Sequence, residues 1–246
     1  MLSVLVTAGG TKESIDGVRS VTNHSTGRLG SLIGSAFVAS GARVAYLRGE
    51  GAMLPEPAGS YEDIGIVSTG QLLEVLQKLL IERPFDCIIH AMAVSDYTPY
   101  AAMPLDKLAL NLDGRVFDDI HQGLRDIFMT QGRVEGKIRS DSDELIIAMR
   151  RTPKALDLFK ALQPKALLVG FKLFNGGPEA ELLGAARAQM EKSGCDYVLA
   201  NDLSQISGDV HPAVLLDRNG GMRRAGSKQE IASLILKTVT EELIRQ

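Results

Sequence analysis

Leu2-Ser3-Val4-Leu5-Val6 runs into Thr7-Ala8-Gly9-Gly10-Thr11, and further on Ser20-Val21-Thr22-Asn23-His24-Ser25-Thr26-Gly27 runs into Arg28-Leu29-Gly30. The first five residues form a short buried-strand pattern that ends on glycines, the way a doubly wound α/β domain begins. Without a Cβ, a glycine lets backbone N–H groups come close to a phosphate or another polar ligand. The second turn sets four polar side chains, closed by Gly27, before a helix pattern with Leu29, Leu32, Ile33, Ala36 and Phe37 on one face. A helix N-terminus with hydroxyls and free amides suits an anion. Each turn alone also fits a plainer role, Gly9-Gly10-Thr11 as a tight connection and Asn23 to Thr26 as a helix cap. Together they point to a nucleotide. No Gly-x-Gly-x-x-Gly follows the strand, and Gly136-Lys137 is followed by Ile138, so neither a dinucleotide fingerprint nor a P-loop is present.

The chain has 246 residues, which can form one large α/β domain or two small ones, and its 45% apolar content is enough for a real core. A net charge of -3, from 27 basic and 30 acidic residues, gives no general attraction to nucleic acid or to an anionic membrane. The two cysteines, Cys87 and Cys195, read as reduced thiols rather than a disulfide framework. No apolar run approaches the roughly 20 residues needed to span a bilayer. The N-terminus enters a strand with no basic lead, and a cytoplasmic protein is expected.

The pattern predicts a helix from about Arg28 to Ser40, ended by Gly41, and a strand from Ala42 to Leu47, which completes a β-α-β unit. Gln71 to Ile81 reads as a helix. Cys87 to Ala93 reads as a buried parallel strand, followed by Val94-Ser95-Asp96, which places Asp96 where such folds hold ligands. From Tyr100 to Gly136 no strong period can be followed. This region reads as an insertion or flap over about 98–140, ending in Gly136-Lys137-Ile138-Arg139-Ser140, whose two cations are spaced for one face of a ribbon. Beyond it, Pro153 suits the first turn of a helix carrying Leu156 and Phe159. Ala166 to Phe171 is a strand, Pro178 to Ser193 a helix, and Tyr197 to Ala200 a strand followed by Asn201-Asp202. Val214 to Asp217 and Met222 to Arg224 form a hairpin through Asn219-Gly220-Gly221. Ser227 to Glu230 has capping-box spacing ahead of an amphipathic last helix. The fold expected is a single three-layer, Rossmann-like α/β domain over 1–246, with a mostly parallel sheet and an appended β-hairpin.

Seven segments occur in the order, and with spacing similar to that, found in phosphopantothenate-cysteine ligases, also called phosphopantothenoylcysteine synthetases. They are Thr7-Ala8-Gly9-Gly10-Thr11, Asp16-Gly17-Val18-Arg19, Asn23-His24-Ser25-Thr26-Gly27, Ala93-Val94-Ser95-Asp96-Tyr97, Lys137-Ile138, Gly170-Phe171-Lys172 and Ala200-Asn201-Asp202. The chain resembles the stand-alone bacterial form, without the flavin-dependent decarboxylase domain often fused to it. The resemblance implies an enzyme of coenzyme A biosynthesis. It would activate the carboxylate of 4'-phosphopantothenate with CTP, or ATP, in the presence of Mg²⁺, and then transfer the acyl group to the amine of cysteine. Holding a triphosphate beside another anion requires the metal and local cations.

The resemblance also implies site residues. Asn23 would meet the reacting carboxylate or acyl intermediate, and Lys137 the transferring phosphate. Gly9, Gly10, Ser25 and Gly27 would cradle phosphates, Asp96 would bind the nucleotide, and the backbone of His90, Ala91 and Met92 would line the base. Pro153, Lys154, Ala155, Leu156 and Phe171 would add nucleotide contacts. Arg19 would serve the phosphopantothenate phosphate in a homodimer. The chain departs from the pattern at Gln189 and Ser193, where two lysines are usual, and at Met92, where a small residue is common. Two other readings of the residues are an NAD(P)-dependent reductase and a non-catalytic nucleotide-sensing module; the first lacks its glycine fingerprint and a Tyr-x-x-x-Lys pair.

Overall fold

The computed structural model describes residues 1–57, 59–131, 136–138 and 143–245. In chain order the elements are β1 (Ser3–Ala8), β2 (Lys12–Ser14), β3 (Ser20–Thr22), α1 (Arg28–Ala39), β4 (Arg43–Gly49), β5 (Glu62–Ile66) and α2 (Thr69–Glu82). Next come β6 (Cys87–His90), β7 (Tyr97–Pro104), α3 (Leu105–Leu112), α4 (Ile120–Gln131), β8 (Leu145–Arg151) and α5 (Leu156–Leu162). The chain ends with β9 (Leu167–Phe174), α6 (Glu179–Ser193), β10 (Tyr197–Asp202), β11 (Val210–Asp217), β12 (Met222–Ser227) and α7 (Lys228–Arg245). The chain divides into two compact units. The first comprises 1–11, 24–94 and 154–246, and the second 12–23 and 95–153.

Unit 1 is built on an eight-stranded sheet in the order β12-β11-β10-β9-β6-β1-β4-β5. β1 pairs parallel with both β4 and β6, β9 and β10 continue the parallel run, and β11 and β12 close the edge as an antiparallel hairpin. The expected three-layer, mostly parallel sheet with its appended hairpin is what the structure has. Side chains alternate along each strand, as the two-residue period requires. Val4, Val6, Ala8, Tyr46, Ile89 and Leu199 pack with Ile33, Phe37, Ile231 and Ile235 of α1 and α7. Leu5, Leu47, Ile88, Leu168 and Val198 pack on the opposite face with Leu72, Leu76, Phe159 and Met190 of α2, α5 and α6. Both cysteines are buried free thiols, and burial pushes Cys195 up to about 11. Among the described residues no helix is long and apolar enough to cross a membrane.

Unit 2 pairs β7 with β8 and β2 with β3, both antiparallel, and packs Ala101 and Met103 with Leu108, Ile127 and Phe128 of α3 and α4. The segment from Tyr100, read as weakly patterned, thus holds most of β7 and two helices. Pro153 is not in a helical first turn. It lies two residues before Ala155, the N-cap of α5. A proline keeps the preceding residue extended, so Thr152, just past β8, lies with its amide on the Asp96 carbonyl (3.0 Å) and its hydroxyl on the Ser95 carbonyl (2.6 Å). Asn201 and Asp202 belong to β10 rather than following it. Asp202 is held low in pKa by amides, chiefly Gly176 N–H and then Ser204 N–H, each at 2.9 Å.

Candidate active site

Within unit 1 the strand order reverses between β1 and β6. From β1 the chain steps outward to β4 and β5 on one side, and later strands extend the other. Ligands of open α/β sheets sit beyond the carboxyl ends of the strands at such a switch point. There, Ala91 N–H donates to the Thr7 carbonyl (3.0 Å), Ala93 N–H to Gly9 (2.8 Å) and Thr11 N–H to Ala93 (3.2 Å). Gly9-Gly10-Thr11 and Ala91–Ala93 therefore run side by side past the end of the sheet. The Thr11 hydroxyl lies 3.0 Å from that of Thr69 in the first turn of α2.

The glycines are set by close approach. Gly9 (φ 79°) and Gly27 (φ 72°) both face the Ala52 methyl, and a Cβ on either would come within 2.8 Å of it. A Cβ on Gly30 would overlap the Ala8 side chain, and one on Gly49 the carbonyl oxygen of Gly10. The three tasks of a dinucleotide fingerprint are a tight turn, close backbone approach and helix–strand packing. Here Gly9 makes the turn after β1 and Gly30 lets α1 pack against that strand, with 12–23 inserted between. Gly27 is the left-handed N-cap of α1. Of the hydroxyls before it, Ser25 Oγ accepts from Gly27 N–H and Thr26 Oγ1 from Arg28 N–H, both at a long 3.4 Å. Ser25 is exposed and Gly27 buried, which sets an open polar turn on the first amides of a 12-residue helix.

His90 is buried (8% exposed), with Nδ1 2.8 Å from the Thr7 hydroxyl and its ring centroid 5.0 Å from that of Phe159. Its side chain is therefore committed to the core, as is that of Met92. Burial pushes His90 down to about 4. The unfolded chain takes up a proton near the ordinary value of 6.5, while the folded chain refuses it until about 4, so stability is full above 6.5 and falls as pH drops through this window. Between pH 7.5 and 5 the expected loss from His90 is on the order of 2 kcal/mol. Urea unfolding at the two pH values should show His90→Gln losing less than the parent by about that amount. Equal losses would contradict a neutral, buried His90.

Phe171 packs partly buried against the α1/α7 side of the core, and its carbonyl accepts from Gln189 Nε2 at 3.2 Å. Gln189, where a lysine is usual, thus holds the backbone of β9. Lys154 is exposed, Ala155 is buried at the start of α5, and Leu156 opens that helix.

Unit 2 carries Arg19, Asn23, Asp96, Lys137 and Pro153. The side chains of Asn23, Asp96 and Lys137 are exposed. Arg19 is engaged within the unit, its Nη2 donating to the Ile138 carbonyl at 2.9 Å and its Nε lying 3.6 Å from Asp16 Oδ2. The Asp16 carboxyl is held low by its hydrogen bond from Val18 N–H first and then by those from Ile138 and Arg19, against the opposing effect of burial. Arg139 and Ser140 lie outside the described residues. Among the described residues no group of three or more His, Cys, Asp or Glu is set to hold a metal.

The sequence assigns roles to Gly9, Gly10 and Gly27 but none to Gly30, Gly49, Ala52 or Asp16. Gly27-x-x-Gly30 and the glycine that ends β4 are the available signals.

Residues 1–109 and 127–243 match the model of the DNA/pantothenate metabolism flavoprotein C-terminal domain. A protein of Thermococcus kodakarensis named coenzyme A biosynthesis bifunctional protein CoaBC is 32% identical over 88% of this chain and 45% of its own length. Its namesake from Methanocaldococcus jannaschii is 26% identical over 96% of this chain and 50% of its own. The chain thus spans about half the length of these curated relatives. A crystal structure of the DNA/pantothenate metabolism flavoprotein from Streptococcus pneumoniae superposes with a TM-score of 0.86 at 33% identity, covering 98% of this chain and 100% of that one.

Proposed function

Because the chain belongs to the DNA/pantothenate metabolism flavoprotein C-terminal domain family, we propose that it is a ligase of coenzyme A biosynthesis that joins 4'-phosphopantothenate to cysteine at the expense of CTP. The observation that carries this reading is the divided glycine cradle at the switch point, which suits phosphate oxygens and leaves open polar side chains beside them.

In the proposed reaction a carboxylate oxygen of 4'-phosphopantothenate attacks the α-phosphorus of CTP, and pyrophosphate leaves. The amine of cysteine then attacks the acyl carbon, the amide forms, and CMP leaves with the bonding electron pair. Gly9, Gly10, Ser25 and Gly27 hold phosphate oxygens, the Lys137 ammonium offsets charge on the transferring phosphoryl group, and Asn23 orients the acyl group without adding charge. Asp96 and the backbone of 90–92 hold the nucleoside. Mg²⁺, when bound with the triphosphate, supplies further charge compensation. A homodimer, with Arg19 toward the phosphopantothenate phosphate, completes the reading.

The test is incubation with CTP, Mg²⁺ and 4'-phosphopantothenate without cysteine, followed by mass spectrometry. The acyl-cytidylate should accumulate, and on addition of cysteine it should be consumed by the parent but persist in Asn23→Asp, since Asn23 is assigned to amine attack. Absence of any acyl-nucleotide in both proteins would contradict the two-step reaction.

A further inference from the structure

We propose that Asp16 is the positioning residue for Lys137, an inference that rests on the ligase reading above. Asp16 is 4% exposed and its carboxylate accepts from three backbone amides: Val18 N–H (2.9 Å) and Arg19 N–H (2.8 Å) on Oδ1, and Ile138 N–H (3.1 Å) on Oδ2. The first two fold residues 16–19 into a tight turn. The third reaches across 122 positions of sequence to the residue next to Lys137.

Two more bonds run between the same segments. Gly17 N–H donates to the Gly136 carbonyl at 2.9 Å, and the Arg19 guanidinium donates to the Ile138 carbonyl at 2.9 Å. Lys137 therefore has an anchored residue on each side. Gly136 accepts through its carbonyl, and Ile138 is fixed through both its amide and its carbonyl, with its side chain buried at 8% exposure. The Lys137 side chain stays exposed. The two backbones touch at Gly17, where a Cβ would come 3.3 Å from the Gly136 carbonyl carbon. An ammonium on a flexible four-carbon stem is a point charge whose value in catalysis depends on where its backbone is held. Asp16 supplies that hold with a charged acceptor, which makes stronger hydrogen bonds than a neutral one.

Asp16→Asn keeps the shape but puts an NH₂ where one oxygen stood, so a buried backbone donor faces another donor. Ile138→Pro breaks the same link from the other side by removing the amide, with Asp16 in place. Hydrogen exchange of the unliganded protein is the first readout. Both variants should raise exchange at Gly17, and Asp16→Asn also at Ile138, by about 10-fold or more. The second readout is kinetic. Each variant should lower kcat for pyrophosphate release by roughly 10- to 100-fold with the KM for cysteine unmoved. In a Lys137→Gln background either change should cost less than about 3-fold, because both act through one group.

Unchanged exchange in both variants, or kinetic losses that add fully to that of Lys137→Gln, would overturn the assignment of Asp16. Should Asp16→Asn fail to fold, Ile138→Pro carries both readouts. Raised exchange in a protein whose parent shows no turnover sustains the Asp16 link and overturns the ligase reading instead.

Discussion

Replacing Lys137 by Gln is expected to slow pyrophosphate release by roughly 10²-fold or more, as loss of one preorganised charge-stabilising donor typically does. The side chain is exposed, so the substitution leaves no buried group unpaired and thermal unfolding should move little. The loss should fall on kcat rather than on the KM for 4'-phosphopantothenate, since the ammonium is assigned to charge that develops during transfer. Stopped-flow or coupled measurement of pyrophosphate at saturating substrates checks this. Near-normal turnover would remove Lys137 from the mechanism.

Gly49→Ala is expected to act through the cradle. Its Cβ would overlap the Gly10 carbonyl oxygen and come within about 3.0 Å of the Gly10 carbonyl carbon and nitrogen. These are backbone atoms at the end of β1 that cannot swing aside as a side-chain tip can. Gly10 must therefore move, and with it the Gly9–Ala93 and Thr11–Ala93 pairings that shape the turn. Overpacking of this kind costs about 1–3 kcal/mol of stability. Displacement of the turn by even part of an ångström should weaken CTP binding by about 10-fold or more, read by calorimetry. Gly65→Ala on β5 is the control, because a Cβ there meets nothing within 4 Å and both stability and binding should stay near those of the parent. Equal CTP affinity in Gly49→Ala and the parent would place the nucleotide elsewhere.

Much of unit 1 could be read in advance because its strands are buried on both faces. Val4-Leu5-Val6, Cys87-Ile88-Ile89 and Leu167-Leu168-Val169 are unbroken apolar runs, which only a covered parallel sheet requires. The edge strand β5, Glu62-Asp63-Ile64-Gly65-Ile66, is largely exposed and carries two acids and a glycine, so its strand pattern is weak. Unit 2 was less legible for a similar reason. β7 contains Pro99 and Pro104 and a register shift between Pro99 and Ala101, and the three-residue strands β2 and β3 are too short to show a period. In the site, Gly9, Gly10 and Gly27 announce themselves by neighbouring turn chemistry. Gly49 matters only because Gly10 lies against it, and Asp16 only because Ile138 does. Such pairings between residues distant in sequence leave no local signature.

The most direct test of the ligase assignment is pyrophosphate release by the purified protein with Mg²⁺ and 4'-phosphopantothenate, comparing CTP with ATP and adding or omitting cysteine. Sustained release that requires cysteine and is faster with CTP is expected, with 4'-phosphopantothenoylcysteine formed in equal amount. No release with either nucleotide, while CTP still binds, would contradict the ligase assignment and leave a nucleotide-binding module in its place.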